Sequence, residues 1–80
     1  MARVRLFARA RELAGGPEDV IDGLTLGAVL DAAVERYGPE FAELLEHCRV
    51  WVNGDEAPDG RATPVAPGDE VAVLPPVSGG

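Results

Sequence analysis

The sequence has 80 residues, 46% of them hydrophobic, and its acidic residues outnumber its arginines so that the net charge is −7. This composition excludes a disordered chain and predicts one domain with a modest core. The negative charge argues against nucleic acid and anionic membranes as partners, and it favours a partner with a basic surface. A single cysteine excludes an internal disulfide. Together with the lack of a signal-peptide pattern or a membrane-spanning apolar run, it predicts a cytoplasmic protein.

The chain opens with alternating residues that predict a half-buried strand over 3–8. The inward positions are Val4, Leu6 and Ala8, and the outward positions are Arg3, Arg5 and Phe7. Residues 9–13 then lead to a turn at Gly15-Gly16-Pro17. The pair Val20-Ile21 indicates a second strand within 18–23, whose register the pattern leaves open.

From Thr25 the period changes to that of a helix. The apolar residues at helical spacing are Leu26, Val29, Leu30, Ala33, Val34 and Tyr37. Thr25 is suited to cap this helix, and Gly38-Pro39 is suited to end it. Pro39 then opens a short second helix. The predicted buried side of this second helix carries Phe41, Leu44, Leu45 and Cys48.

Two further strands follow. The first covers 49–53, with Val50 and Val52 inward and Trp51 outward, and it ends at an Asn53-Gly54 turn. An acidic loop over 55–60 and a short edge strand or 3₁₀ turn over 63–66 come next. After a type II turn at Pro67-Gly68, the last strand covers 70–74, with Val71 and Val73 inward.

This order of elements predicts an α+β fold of the β-grasp, or ubiquitin-like, type. We expect a mixed sheet of four to five strands packed on one main helix, with a short second helix beside it. The first and last strands are the most apolar, so we place them side by side and parallel at the centre of the sheet. The domain then covers 1–74, and an extended tail covers 75–80.

The tail is the most unusual stretch of the chain. Pro75-Pro76 lack backbone N–H groups and stop strand pairing, while Gly79 and Gly80 have no Cβ and can enter a narrow channel. We expect the polypeptide to end at the Gly80 carboxylate. No autonomous active site or metal site is expected elsewhere, because the only histidine and the only cysteine are adjacent, with His47 at the surface and Cys48 near the core.

Large apolar side chains on the outward strand positions predict a docking patch beside the tail. These residues are Phe7, Trp51 and Leu74. We expect all three to be exposed in the isolated chain and to lie on one face of the sheet. Burial of each by a partner would contribute roughly 1.5–3 kcal/mol.

Four stretches carry a family resemblance, and they are Val4 to Gly15, Val52-Asn53, Pro67 to Val71, and the ending Leu74-Pro-Pro-Val-Ser-Gly-Gly80. They closely resemble the small subunits of molybdopterin synthase, within the ubiquitin-like sulfur-carrier family. The segment 53–64 departs from the family pattern, because it looks longer and lacks the usual apolar residue after the asparagine.

The resemblance implies a chemistry for the tail. An ATP-dependent adenylating enzyme joins the Gly80 carboxylate to AMP, and a sulfur donor replaces AMP to leave a thiocarboxylate. These two covalent intermediates are expected in place of a bound cofactor. The tail, with Gly79, enters the large catalytic subunit, where the sulfur builds the dithiolene of the molybdenum cofactor. Contacts to that subunit are expected from Phe7, Trp51, Leu74, Pro75, Pro76 and Val77.

Other functions fit the same features. The β-grasp fold and Gly-Gly ending also serve sulfur carriers for thiamine, for cysteine and for tRNA thiolation. A protein modifier joined to lysines through Gly80, and an interaction module whose tail is never activated, remain open as well.

Overall fold

Five strands and three helices follow one another along residues 1–76, the part of the chain that this computed structural model describes. They are β1 (Ala2–Leu6), α1 (Ala8–Ala14), β2 (Glu18–Ile21), α2 (Leu26–Tyr37), α3 (Pro39–Leu45), β3 (Arg49–Val52), β4 (Asp55–Glu56) and β5 (Glu70–Leu74). The sheet order is β2-β1-β5-β3-β4. β1 and β5 are parallel neighbours near its centre, and the other pairs are antiparallel. The predicted α+β, β-grasp fold is confirmed.

The core lies between the inner face of the sheet and α2. Its helical part comprises Leu26, Val29, Leu30 and Ala33, and its sheet part comprises Val4, Leu6, Ile21, Val71 and Val73. Phe41 of α3 is fully buried beside them. Val34, Val50 and Val52, which the sequence placed in this core, are half-buried and pack at its edge. The predicted amphipathic helix therefore covers the sheet as expected.

The ends of α2 follow the predicted signals. The Thr25 hydroxyl accepts a hydrogen bond from the Ala28 N–H at 3.2 Å, and the Gly38 N–H donates to the Val34 carbonyl at 2.8 Å. Gly38 has φ of +100°, which glycine adopts more readily than other residues because it has no Cβ. Pro39 is the first residue of α3. Within residues 1–76 no helix has the length and apolarity needed to cross a membrane.

Helix α1 was not predicted. The alternation of apolar and polar residues in β1 predicts a strand as far as Ala8. Ala8 instead has φ of +51°, which turns the chain sharply from the strand into the helix and leaves Ala8 exposed. Ala10 is buried under the sheet end, and the N–H groups of Gly15 and Gly16 both donate to the Arg11 carbonyl, which closes the helix. Residues 9–13 are thus helical and not a connecting loop.

The acidic segment after β3 is also more ordered than predicted. Asn53 and Gly54 both have positive φ, as a two-residue hairpin turn requires, and β4 follows directly. A 3₁₀ turn occupies Gly60–Ala62, earlier than expected, and Pro64 forms only a single bridge to Thr25. Thr63 and Val65 are buried, so this segment packs on the start of α2.

A polar network connects β2, an edge strand of the sheet, to the C-terminal end of α2. The Tyr37 hydroxyl donates to the Asp19 carboxylate, and the Arg36 guanidinium lies 2.9 Å from the same carboxylate. These two hydrogen bonds hold the pKa of Asp19 below its usual range. Burial, together with the Asp19 contact, raises the pKa of the Tyr37 phenol. This polar network therefore lies on the inner side of the sheet, at the edge of the apolar core.

Candidate functional site

The tail begins at the end of a central strand. Leu74, the last residue of β5, lies opposite Arg49 in the register with β3. Pro75 is half-buried and Pro76 is exposed, and neither is in regular secondary structure. The sheet therefore anchors the root of the tail on both sides, through β1 and β3. The predicted site residues Val77, Gly79 and Gly80 lie outside the described residues.

Strand register brings the three predicted docking residues to one face of the sheet. Trp51 lies opposite Ala72, and Leu74 lies two residues further along the same strand, so both face away from α2. Phe7 follows β1 directly after Leu6, which pairs with Val73, and this places it beside Leu74. We call the face that carries these side chains the outer face. None of the three belongs to the core under α2 among the described residues.

Exposure of these three side chains is uneven. Phe7 is 38% exposed, as expected, whereas Trp51 and Leu74 are only half-buried rather than exposed. The prediction that all three are exposed is thus confirmed for Phe7 and wrong for Trp51 and Leu74. Large side chains on adjacent strands shield one another from solvent along the sheet surface. The alternation of residues within one strand cannot predict this shielding.

Trp51 also holds an unsatisfied polar atom. Its indole Nε1 is buried and has no hydrogen-bond partner among residues 1–76. A buried donor without an acceptor costs about 1–3 kcal/mol. A rotation of the ring or a contact that supplied an acceptor would therefore be favourable at this point of the outer face.

Ion pairs also lie on the outer face. Arg3 pairs with Glu18 at 2.6 Å, and Arg49 pairs with Glu56 at 3.4 Å. These side chains are all roughly half or more exposed, so such pairs contribute little to stability and can exchange partners. The sequence placed the arginines on this face by alternation but gave them no role.

Arg5 links the ion pairs to the apolar patch. Its guanidinium carbon lies 5.8 Å from the centre of the Phe7 ring, within the range of a cation–π contact, and its nearest carboxylate is Glu70 at 4.0 Å. The cationic group is therefore held next to Phe7. The spacing of Arg5 two residues before Phe7 on one strand was the signal that would have found this contact.

The candidate nucleophiles do not form a catalytic site. His47 is exposed, and the half-buried Cys48 sulfur is hydrogen-bonded to the Leu44 carbonyl at 3.2 Å. Burial raises the pKa of the Cys48 thiol, which disfavours the reactive thiolate. Within the described part of the chain, no group of three or more acidic, histidine or cysteine residues could hold a metal ion.

Comparison with known proteins agrees with this geometry. Residues 4–80 match the ThiS family. The chain is 42% identical to small archaeal modifier protein 1 of Haloferax volcanii, over 95% of this chain and 97% of that protein.

Solved structures give the same fold. The solution structure of small archaeal modifier protein 1 from Methanosarcina acetivorans superposes with a TM-score of 0.89 and 29% identity, covering 99% of this chain and 95% of that one. A complex of subunits 1 and 2 of molybdopterin-converting factor from Helicobacter pylori contains a chain that matches with a TM-score of 0.70 and 28% identity, covering 99% of this chain and 97% of that one.

Proposed function

Because the chain belongs to the ThiS family, we propose that it is the sulfur-carrying small subunit of a molybdopterin synthase. At the coarser level it is a ubiquitin-like protein of the sulfur-carrier and modifier class. The observation that supports the proposal is the position at which the tail leaves the sheet. A central strand delivers Pro75-Pro76 beside an outer face that bears Phe7 and Leu74, and the family match continues through Gly80.

The proposed chemistry takes place on the Gly80 carboxylate. A free carboxylate is a poor electrophile, so an adenylating enzyme first joins it to AMP and releases pyrophosphate from ATP. A sulfide nucleophile then attacks the acyl carbon, and the C–S bond forms as the bond to the AMP oxygen breaks. The thiocarboxylate that results carries the sulfur to a pterin precursor for dithiolene formation.

In this proposal the outer face binds the partner and the tail enters its active site. Phe7, Trp51 and Leu74 dock on the large catalytic subunit, while Pro75, Pro76 and Val77 direct Gly79-Gly80 into its active site. The two-subunit complex of the Helicobacter pylori relative supports a partner protein of this kind. Placement matters, because a misplacement of about 1 Å can cost catalysis about a hundredfold.

Reconstitution with the adenylating enzyme, ATP, a sulfide source, the large subunit and the pterin precursor tests the proposal. The intact chain, a chain lacking Gly80 and Gly79→Val are compared for dithiolene formation, and mass spectrometry checks the thiocarboxylate on Gly80. We expect activity from the intact chain alone, with unchanged unfolding curves for all three. Full activity from the shortened chain would contradict the proposal.

The identity to a small archaeal modifier protein favours a second candidate, in which Gly80 is joined to lysine amines of target proteins. The chain itself contains no lysine. It would therefore be attached as a single unit, because no second copy could be linked to a lysine of the first.

Mass spectrometry of native conjugates separates the two candidates. Tail-derived remnants on lysines of other proteins, with no dithiolene formed in the reconstitution, would favour the modifier. A thiocarboxylate with dithiolene formation and no remnants would favour the sulfur carrier.

A further inference from the structure

The net charge of the chain is distributed unevenly about the sheet. By strand register, the outer face carries three arginines and three glutamates, which are Arg3, Arg5, Arg49, Glu18, Glu56 and Glu70. The outer face is therefore neutral, and the net charge of −7 lies on the rest of the chain. A basic partner surface, which the net charge alone favoured, matches the helical side and not the outer face.

Arginines gather at the end of the outer face from which the tail leaves. Arg5 is held against the Phe7 ring, and Arg49 lies opposite Leu74. Arg11 lies one helical turn after Phe7, since its N–H donates to the Phe7 carbonyl at 3.4 Å. Arg5, Arg11 and Arg49 therefore belong to the parts of the chain next to Phe7 and Leu74.

Arg11 differs from the other arginines in having no salt bridge within the described part of the chain. Among residues 1–76, each of the other six lies in a salt bridge with a carboxylate, and Arg11 does not. Arg9 of the same helix points to the opposite flank, where it lies 3.3 Å from both Glu12 and Glu40. Arg11 is exposed, so the N–H groups of its guanidinium can donate hydrogen bonds to another molecule.

We propose that the outer face docks on a protein whose contact surface has an apolar centre and a carboxylate at its rim, and that Arg11 pairs with this carboxylate. The inference rests on the proposed function and adds the chemistry of the partner surface. Bidentate pairing with a carboxylate is the contact for which a guanidinium is best suited. A second copy packed through the same patch is disfavoured, because it would bring the two groups of arginines together.

A pair of matched variants tests this proposal. The purified large subunit is titrated calorimetrically with the wild-type chain, Arg11→Gln and Arg9→Gln, at about 50 mM and about 300 mM NaCl. Both variants change one arginine of α1 to the same amide, so their net charges are equal. We expect Arg11→Gln to weaken binding about threefold to tenfold at low salt, with a smaller difference at high salt. We expect Arg9→Gln to stay within about twofold of the wild type, and Arg11→Lys to recover part of the loss.

The contrary outcomes are distinct. Equal effects of Arg11→Gln and Arg9→Gln, or tighter binding by Arg11→Gln, would overturn the inference. A wild-type complex that Phe7→Ala weakens but Arg11→Gln does not would overturn the inference and leave the proposed function standing. Failure of the wild-type chain to bind the large subunit would overturn both. A dimer that forms through the outer face, detected by sedimentation and lost in Phe7→Ala, would replace the proposed partner with a second copy.

Discussion

On the inner face of the sheet, Val4, Val71 and Val73 have no exposed surface, whereas on the outer face the side chains of Arg3 and Arg49 are 59% and 76% exposed. The same strands supply both sets, because successive side chains of a strand point to opposite faces. The inner residues gain roughly 25 cal/mol for each Å² of apolar surface removed from water. The outer ion pairs gain only about 0.2–1 kcal/mol each, because water screens them.

The difference teaches where stability and recognition reside in this chain. On the inner face, α2 buries the central apolar residues, while Val50 and Val52 at the edge of the core stay half-buried. The outer face is held by weak, exchangeable pairs around Phe7 and Leu74, so a partner can rearrange it at small cost. Substitutions on the two faces should therefore separate folding from docking.

The largest effect is expected in the middle of α2. Leu30 is 5% exposed and Leu24 is 84% exposed, so the same change to alanine can be compared inside and outside the core. Leu30→Ala should lower the free energy of unfolding by about 2–5 kcal/mol, and Leu24→Ala by no more than about 0.5 kcal/mol. Urea unfolding measures both. A near-neutral Leu30→Ala would mean that α2 does not cover the inner face.

A smaller loss is expected where α2 begins. A Cβ on Gly23 would lie 2.8 Å from the Val29 backbone nitrogen and 2.7 Å from a Val29 methyl group, whereas a Cβ on Gly16 would meet nothing within 4 Å. Gly23→Ala should cost about 1–3 kcal/mol, and the matched Gly16→Ala should be neutral or slightly stabilising. Thermal unfolding of both variants checks this. Equal melting temperatures would mean that the close approach at Gly23 does not exist.

The polar edge of the inner face should give a pH-dependent effect. The pKa of Asp19 is lowered in the folded chain, so its ionised form adds stability above its unfolded value of about 4, and this stability is lost as the pH falls through the lower folded pKa. Asp19→Asn should cost about 1 kcal/mol at pH 7, with the difference from wild type closing below about pH 4.

Urea unfolding at several pH values measures this effect. Tyr37→Phe serves as the control, because it removes one hydrogen bond and keeps the ion pair with Arg36. It should retain part of the acid-dependent loss. A constant difference between Asp19→Asn and wild type at every pH would contradict the assignment.

The smallest effect is expected from the ion pairs of the outer face. Arg3→Gln and Glu18→Gln should each change the free energy of unfolding by less than about 0.5 kcal/mol, although their side chains lie 2.6 Å apart. A double-mutant cycle in low and high salt measures the coupling. A coupling above about 1.5 kcal/mol would show that the outer face also carries stability.

Much of the fold could be predicted because its signals are local. Alternation indicated β1, β3 and β5 with their inward residues, and the cap at Thr25 with Gly38-Pro39 set the limits of α2. The predicted Pro67-Gly68 turn is present, with Gly68 at φ of +88° and the Asp69 N–H donating to the Ala66 carbonyl at 3.0 Å. Each of these features depends on the conformational preference of a few adjacent residues.

Two short elements, β4 and α1, escaped prediction because neither shows a clear apolar period. β4 contains two residues, and α1 contains seven whose apolar side is mostly alanine. A helix of this length is marginal by itself and forms because Ala10 packs against the sheet end. Its existence therefore depends on the position of strands that lie far away in the sequence.

The candidate site divides in the same way. The sequence by itself determined the Pro-Pro and Gly-Gly residues of the tail and the outward parity of Trp51 and Leu74, because composition and strand alternation are written in adjacent residues. Only the tertiary structure decided that Trp51 is half-buried and that the Arg5 guanidinium lies over the Phe7 ring. It also decided that, among residues 1–76, Arg11 is the one arginine without a salt bridge to a carboxylate. Burial and ion pairing depend on which side chains the strand order brings within a few ångströms of one another, and local polarity does not encode those neighbours.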